Sequence, residues 1–381
     1  MKRFCLMLLT LTILCASSFG EDIALTDRGL DLGANSVHWP ELTGLEDEAL
    51  QEQINLALRA AAGAEELTAR MGLLFSSPTA LKAEWQGQVT GGILSVVTHA
   101  EGPLRTNRAE ERWGTALIDL TSGKALPLSA FLADQDEAVS LLEERLEESA
   151  VSDLSAHQNA SAVTPLPETF AADRWGLTFF YSADQLSTLS GKAGTLRVYW
   201  YEIEDLLALD ENSPAARLGA KEALSLTLDS WQALLKDGAS GSLPLWPVAV
   251  GDPLPEAIRE GGGLLSDPDL YMNGRLIELQ DDRFRGTLLL TDALNDDIGE
   301  STLVQGLRSS RFGLYGLHPG LSREEVLAVT GAPEATVTLG SDLAAALRLP
   351  SGTSDYYPCA PCRLCLHYDE NGLLAALALT E

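Results

Sequence analysis

The sequence predicts an α+β protein in two parts, the second built from tandem small modules. Three observations point there. Helical periodicity is confined to short stretches, and between them lie alternating runs rich in β-branched and aromatic residues. Composition shifts near Asn212, Ser213 and Pro214, and a small-residue stretch follows at Asp237-Gly238-Ala239-Ser240-Gly241-Ser242. Beyond it a Gly–helix-start pattern occurs twice.

Taken in order, residues 21–45 read as an opening strand and loop ending at Pro40 and Gly44. Residues 46–62 read as a helix, because Leu50, Ile54, Leu58 and Ala61 recur at helical spacing behind Glu46, Asp47 and Glu48, where the helix dipole favours anions. A second helix is expected from Ala64 to Met71. Strands are expected at Leu81–Val89, Gly92–Thr98 and Trp113–Leu120, with a turn at Thr121-Ser122-Gly123-Lys124. Gln135–Ser149 is an amphipathic helix with Val139, Leu142 and Leu146 inward. Residues 152–169 read as a loop. Trp175–Tyr181 and Thr195–Ile203 read as strands, and Glu204–Leu209 as the start of a closing helix.

The boundaries that follow are a first domain over 21–212, a helical linker over 213–242 and a tandem module over 243–381. Within the module, Gly251-Asp252-Pro253-Leu254 and Gly320-Leu321-Ser322-Arg323 open the two copies. Ser322 is placed to cap a helix with Glu325 at the capping-box position, and Gly331-Ala332-Pro333 is a stop signal. Strand-like stretches follow each copy, at Arg285–Leu290 and Cys365–Leu379.

The first twenty residues have signal-peptide order. Lys2 and Arg3 precede an apolar run from Phe4 to Cys15, and Ser18 and Gly20 sit at −3 and −1 for cleavage after Gly20. The run is short for a bilayer span, which takes about 20 apolar residues. Retention as an anchor is the alternative, and Leu14 fits poorly before a lipidated Cys15. The expectation is a secreted or extracytoplasmic protein with no membrane span once the signal is cleaved.

Formal charge is −29, and loss of Lys2 and Arg3 takes it to −31. Such a field repels nucleic acid and anionic lipid, and favours cationic partners. It also keeps a secreted chain soluble.

Of five cysteines, Cys5 and Cys15 leave with the signal. Cys359, Cys362 and Cys365 remain, so disulfides are not a framework for most of the chain. Cys359-x-x-Cys362-x-x-Cys365-x-His367 is the sharpest constellation. Three thiolates and an imidazole suit tetrahedral zinc, but four ligands within nine residues is tight. An exported chain favours a disulfide within the trio, and unpaired or intermolecular thiols are the third alternative.

Catalytic signals are thin. There is no Gly-x-Ser-x-Gly elbow, Walker loop or His-Glu-x-x-His, and His38, His99, His157, His318 and His367 are scattered. Asp267, Asp269 and Asn273 make only half a calcium loop and read as a solvated turn. Asn159-Ala160-Ser161 matches a glycosylation sequon.

Residues 36–210 resemble the extracytoplasmic domain of RsiV-type anti-sigma factors, also found beside the catalytic domain of PdaC-type peptidoglycan deacetylases. The Ile54-Asn55 pair, Ile93–Val97, Asp119–Ser129, Trp175–Tyr181 and Val198–Ile203 carry the match. Where that family often has a Gly-Gly-Ala-His turn, this chain reads Glu110-Glu111-Arg112-Trp113-Gly114. The resemblance implies an antiparallel sheet with packed helices, and a binding role at the cell wall, with lysozyme binding in the anti-sigma members. The sigma-binding segment, membrane helix and deacetylase domain have no counterpart here. The C-terminal part, through Gly316–Val326, Gly331-Ala332-Pro333 and the late strands, resembles modules of β-lactamase inhibitor proteins and SmpA-type lipoproteins. That resemblance implies protein binding without catalysis.

The resulting expectation is a secreted bacterial envelope protein, more binding protein than enzyme, for a basic protein or a wall component. A wall-active hydrolase with a site assembled only in the fold, or a structural spacer, are the alternatives.

Overall fold

The computed structural model describes residues 23–74, 79–133, 135–153, 164–181, 194–256, 258–259, 263–265, 276–279, 286–293 and 298–381. The signal segment, His157, the sequon at Asn159 and the Asp267–Asn273 stretch lie outside them. The fold is α+β, in two compact units that divide between Lys221 and Glu222.

The first unit opens with a hairpin rather than a strand and a loop. β1 (Ala24–Leu32) pairs with β2 (Asn35–Thr43) over its whole length. Helices α1 (Glu48–Ala62) and α2 (Ala64–Met71) follow. Asp47 accepts the Leu50 amide at 3.0 Å, and Gly63 ends α1 with a φ of 60°. Then come β3 (Lys82–Thr90), β4 (Ile93–Gly102), β5 (Glu110–Asp119) and β6 (Lys124–Ala125). The six strands form one sheet in sequence order. It is antiparallel except where β2 meets β3 at Ser36↔Lys82 and Val37↔Ala83. The two helices make the crossover that a parallel pair requires.

Helical and strand periods meet in the core. Ile54 and Leu58 of α1 are fully buried against Leu42, Leu94, Val96 and Ile118. Burial of each such side chain stabilises by about 1.5–3 kcal/mol. Asn55 then fixes the helix to its strand. Its Oδ1 accepts the Leu42 amide at 2.7 Å, and its Nδ2 donates to the Leu42 carbonyl at 2.9 Å.

The unit continues with α3 (Gln135–Asp153) and a three-stranded antiparallel sheet of β7 (Phe170–Asp173), β8 (Gly176–Tyr181) and β9 (Gly194–Tyr199). The expected strand to Ile203 stops at Tyr199, and Trp200–Leu206 is a 3-10 helix. The Glu202 carboxylate accepts the Tyr199 amide at 2.8 Å, turning the chain there. Arg197, almost wholly buried, donates to both Asp173 oxygens at 2.6 Å. After α4 (Pro214–Arg217), Arg217 donates to the Asp119 carboxylate and to the carbonyls of Gly91 and Gly92. Helix α5 (Ala220–Leu224) lies at the division.

The second unit holds α6 (Leu228–Ala239), then β10 (Gly263–Leu265), β11 (Leu276–Leu279), β12 (Thr287–Thr291) and β13 (Val304–Ser309). There follow α7 (Arg323–Thr330), β14 (Ala335–Leu339), α8 (Ser341–Ala346), β15 (Gly352–Cys359), β16 (Cys362–Asp369) and β17 (Leu374–Thr380). Ser322 and Glu325 form the expected capping box on α7. The eight strands among the described residues make one antiparallel sheet, ordered β10-β11-β12-β13-β17-β16-β15-β14. Each half is a four-stranded meander, and the halves join where β13 pairs with β17 from Gly306↔Thr380 to Ser309↔Leu377. This is the tandem arrangement that the sequence predicts.

Candidate functional site

The four residues of the C-terminal constellation all lie on the β15–β16 hairpin. The turn falls at Ala360-Pro361, joined by a cis peptide bond, so Cys359 and Cys362 become register partners. Directly opposed residues of an antiparallel pair project to the same face. For Cys359 that face is the one under α6. A Cβ on Gly238 would stand 3.2 Å from Cys359 Sγ, so a side chain there would crowd the thiol. Two residues back, Tyr357 meets Trp231 of α6 edge to face at 4.8 Å.

Cys365 and His367 share the opposite face, because strand side chains alternate. Cys365 lies close to the side chains of Ser354 and Tyr356, which offset part of the rise that burial causes in its thiol. His367 is almost wholly buried, with Nδ1 at 2.9 Å from Ser354 Oγ and Nε2 at 2.8 Å from the Pro350 carbonyl. Both ring nitrogens are thus engaged. The four candidate zinc ligands are split two and two across the sheet. Among the described residues no group of three or more His, Cys, Asp or Glu side chains is placed to hold a metal ion. The register, not the ligand chemistry, separates them.

The thiols themselves are poor nucleophiles. Burial pushes Cys359 and Cys365 each up to about 11, and Cys362 is raised by burial and by the Glu381 charge. The Ser354–His367 pair has the chemistry of a nucleophile and a base. Yet Ser354 is 2 % exposed and His367 1 %, so the pair has no path to a substrate in this conformation. Burial holds His367 below the ordinary histidine range, which favours the neutral ring these two contacts need.

A second polar cluster lies on the β1–β2 hairpin, which sequence reasoning took for a strand and loop. His38 stands opposite Gly29, and a Cβ on Gly29 would come within 2.8 Å of its ring. With no side chain there, the ring reaches the acids on either side. Nδ1 is 2.6 Å from Asp27 Oδ2, and Nε2 is 3.3 Å from Asp31 Oδ1. The other Asp27 oxygen accepts Trp85 Nε1–H at 2.6 Å. Beside them Arg28 pairs with Glu41 at 2.6 Å. Burial lowers the His38 pKa, but the two aspartates outweigh it and raise the group above its ordinary value. The signal available in the sequence was the Asp-x-Gly-x-Asp alternation of 27–31, a strand pattern with both acids on one face.

That hairpin is also an edge. Among the described residues β1 ends the sheet order, and every side chain on it except Leu25 is exposed. Edge strands offer unpaired backbone groups to other chains.

The Glu110–Gly114 stretch, expected as a departure at a turn, belongs to β5 and pairs with β4 from Thr98 to Gly102. His99 and Glu111 meet there at 2.7 Å, and the His99 ring lies 4.2 Å from Trp113. His318 contacts its neighbour's carbonyl, at Pro319. Among the described residues, His38, His99, His318 and His367 thus lie at four separate places.

No family model matches the sequence, and no curated protein is similar to it. Several solved structures show likeness, among them the following three. A DUF3298 family member from Bacteroides fragilis is 12 % identical at a TM-score of 0.36, over 52 % of this chain and 96 % of that one. A DUF3298 family protein from Pseudomonas aeruginosa is 12 % identical at 0.33, over 49 % and 93 %. A DUF4309 family protein from Bacillus subtilis is 10 % identical at 0.29, over 40 % and 97 %. No described helix is long and apolar enough to cross a membrane.

Proposed function

We propose that this chain is a secreted bacterial cell-envelope protein that binds a basic protein, of the lysozyme kind, without catalysing a reaction on it. One observation carries this reading. Strand β1, at the edge of its sheet among the described residues, presents Asp27 and Asp31 beside its backbone, in a chain of net charge −29. A partner strand could add to such an edge through main-chain hydrogen bonds, while cationic side chains meet the carboxylates. The signal-like leader and the resemblance to RsiV- and PdaC-type domains support the location and the role.

The test is calorimetric titration of the chain, produced by export, with a basic lysozyme and with an acidic protein of similar size. The expected result is binding to the lysozyme alone, weakening as salt screens the charges. A parallel sedimentation assay with purified peptidoglycan covers the wall-component alternative. Absence of binding in both assays would overturn the reading. Binding to peptidoglycan only would replace the basic-protein partner with a wall ligand.

A further inference from the structure

We propose that Cys359 and Cys362 form an intramolecular disulfide that closes the tip of the β15–β16 hairpin, and that Cys365 stays a thiol. In the structure all three are thiols, and all three are buried. The register supplies the geometry. Cys359 and Cys362 are the last paired residues before the turn. Opposed residues of antiparallel strands have Cα atoms about 4.5–5.5 Å apart. A disulfide takes about 4.4–6.8 Å. The two side chains share the α6 face, and they are close enough for the charge of one to raise the other.

The same register excludes the other pairings. Cys365 lies opposite Tyr356, three residues from Cys359 along β15, and it is three residues from Cys362 along β16. Three strand residues span about 10 Å. Cα atoms more than about 7 Å apart cannot be bridged without backbone movement. Cys365 also projects to the opposite face, beside Ser354 and Tyr356. The odd cysteine of the trio is therefore identified by position.

The reaction needs an external disulfide as oxidant, such as oxidised glutathione. One protein thiolate attacks it, forming a mixed disulfide and expelling one small thiol. The second protein thiolate then displaces the other. Two protein S–H bonds become one S–S bond, and the two protons leave with the two reduced small thiols. Two electrons pass from protein to oxidant. Ala360 and Pro361 at the tip are exposed, so a small opening of the turn admits the oxidant. Because the loop closed is so short, the bond acts on the hairpin tip beneath α6 more than on the chain as a whole.

Trypsin gives the test directly, because Arg348 and Arg363 bound a peptide carrying both cysteines while residues 364–381 carry Cys365 alone. The full chain is folded with oxidised glutathione, alkylated in denaturant without reductant, and digested. The expected result is an unlabelled 349–363 peptide two hydrogens lighter than its reduced form, and a labelled 364–381 peptide. C362S should leave Cys359 labelled, and C365S should change nothing in the 349–363 peptide. Alkylation of both Cys359 and Cys362 in the oxidised protein would overturn the proposal. So would a cross-link between the two peptides, or a disulfide-linked dimer.

Discussion

Arg323 at the start of α7 holds the wholly buried carboxylate of Asp355 through two parallel bonds, Nε to Oδ2 at 2.8 Å and Nη2 to Oδ1 at 3.0 Å. Thr336 donates a third at 2.7 Å from β14. One buried charge thus ties a helix and two strands of the second unit. R323M leaves that charge without its cation. The expected cost is about 3 kcal/mol, since breaking a buried pair strands the remaining ion. Denaturant unfolding should show it, and the double variant with D355L should recover part of the loss. Equal losses in single and double variants would refute the pairing.

Asn55 is expected to matter as much as the apolar residues beside it. N55L keeps the size of the side chain but orphans both backbone groups of Leu42. An expected loss of about 2–4 kcal/mol follows from two buried groups left without partners. A change in thermal stability no larger than that of a surface substitution would contradict it.

Acid should act through Asp119. Burial pushes its carboxyl up, but hydrogen bonds from Arg217 and Ser122 outweigh this and hold it below the ordinary carboxylate range. A depressed folded value means the stabilisation is present above the unfolded pKa and lost as pH falls through the folded one. R217M should therefore flatten the acid limb of the stability–pH curve, while leaving an overall loss at neutral pH. An unchanged acid limb would show that Asp119 does not drive it.

His38 works in the opposite sense. Its folded pKa is raised, so its stabilisation is full below about 6.5, the unfolded value. It is lost as pH rises through the folded value. Deprotonation also makes the Asp27–His38–Asp31 cluster more negative. On the proposed function, affinity for a basic protein should increase across that same rise. Proton NMR titration of His38 and calorimetry at several pH values test both, with D27N expected to lower the His38 pKa. A His38 pKa at or below the free value would defeat the prediction.

Much of this fold was legible where one local signal dominates. Asp47 before the Ile54–Leu58 spacing, and Ser322 with Glu325, locate α1 and α7 because caps and helical period agree. The signal failed where a side chain competes with the pattern. Thr195–Ile203 is rich in strand formers, yet Glu202 captures the Tyr199 amide and ends the strand. Glu110–Arg112 looks too polar for a strand until β4 lies beside it. The site was half legible. Residue parity alone puts Cys365 and His367 on one face of a strand. Nothing in the spacing says that the turn falls between Cys359 and Cys362, and only that turn sets them face to face.

The join between the two meanders has a consequence for synthesis. β13 gains its second neighbour from β17, whose residues emerge some seventy positions later. Until then its outer edge has no strand to cover it. The second unit can complete its sheet only after β17 has emerged, so the seam is among the last of its pairings to form. A chain that lost β17 would present two open sheet edges in place of one seam, and should aggregate rather than merely weaken.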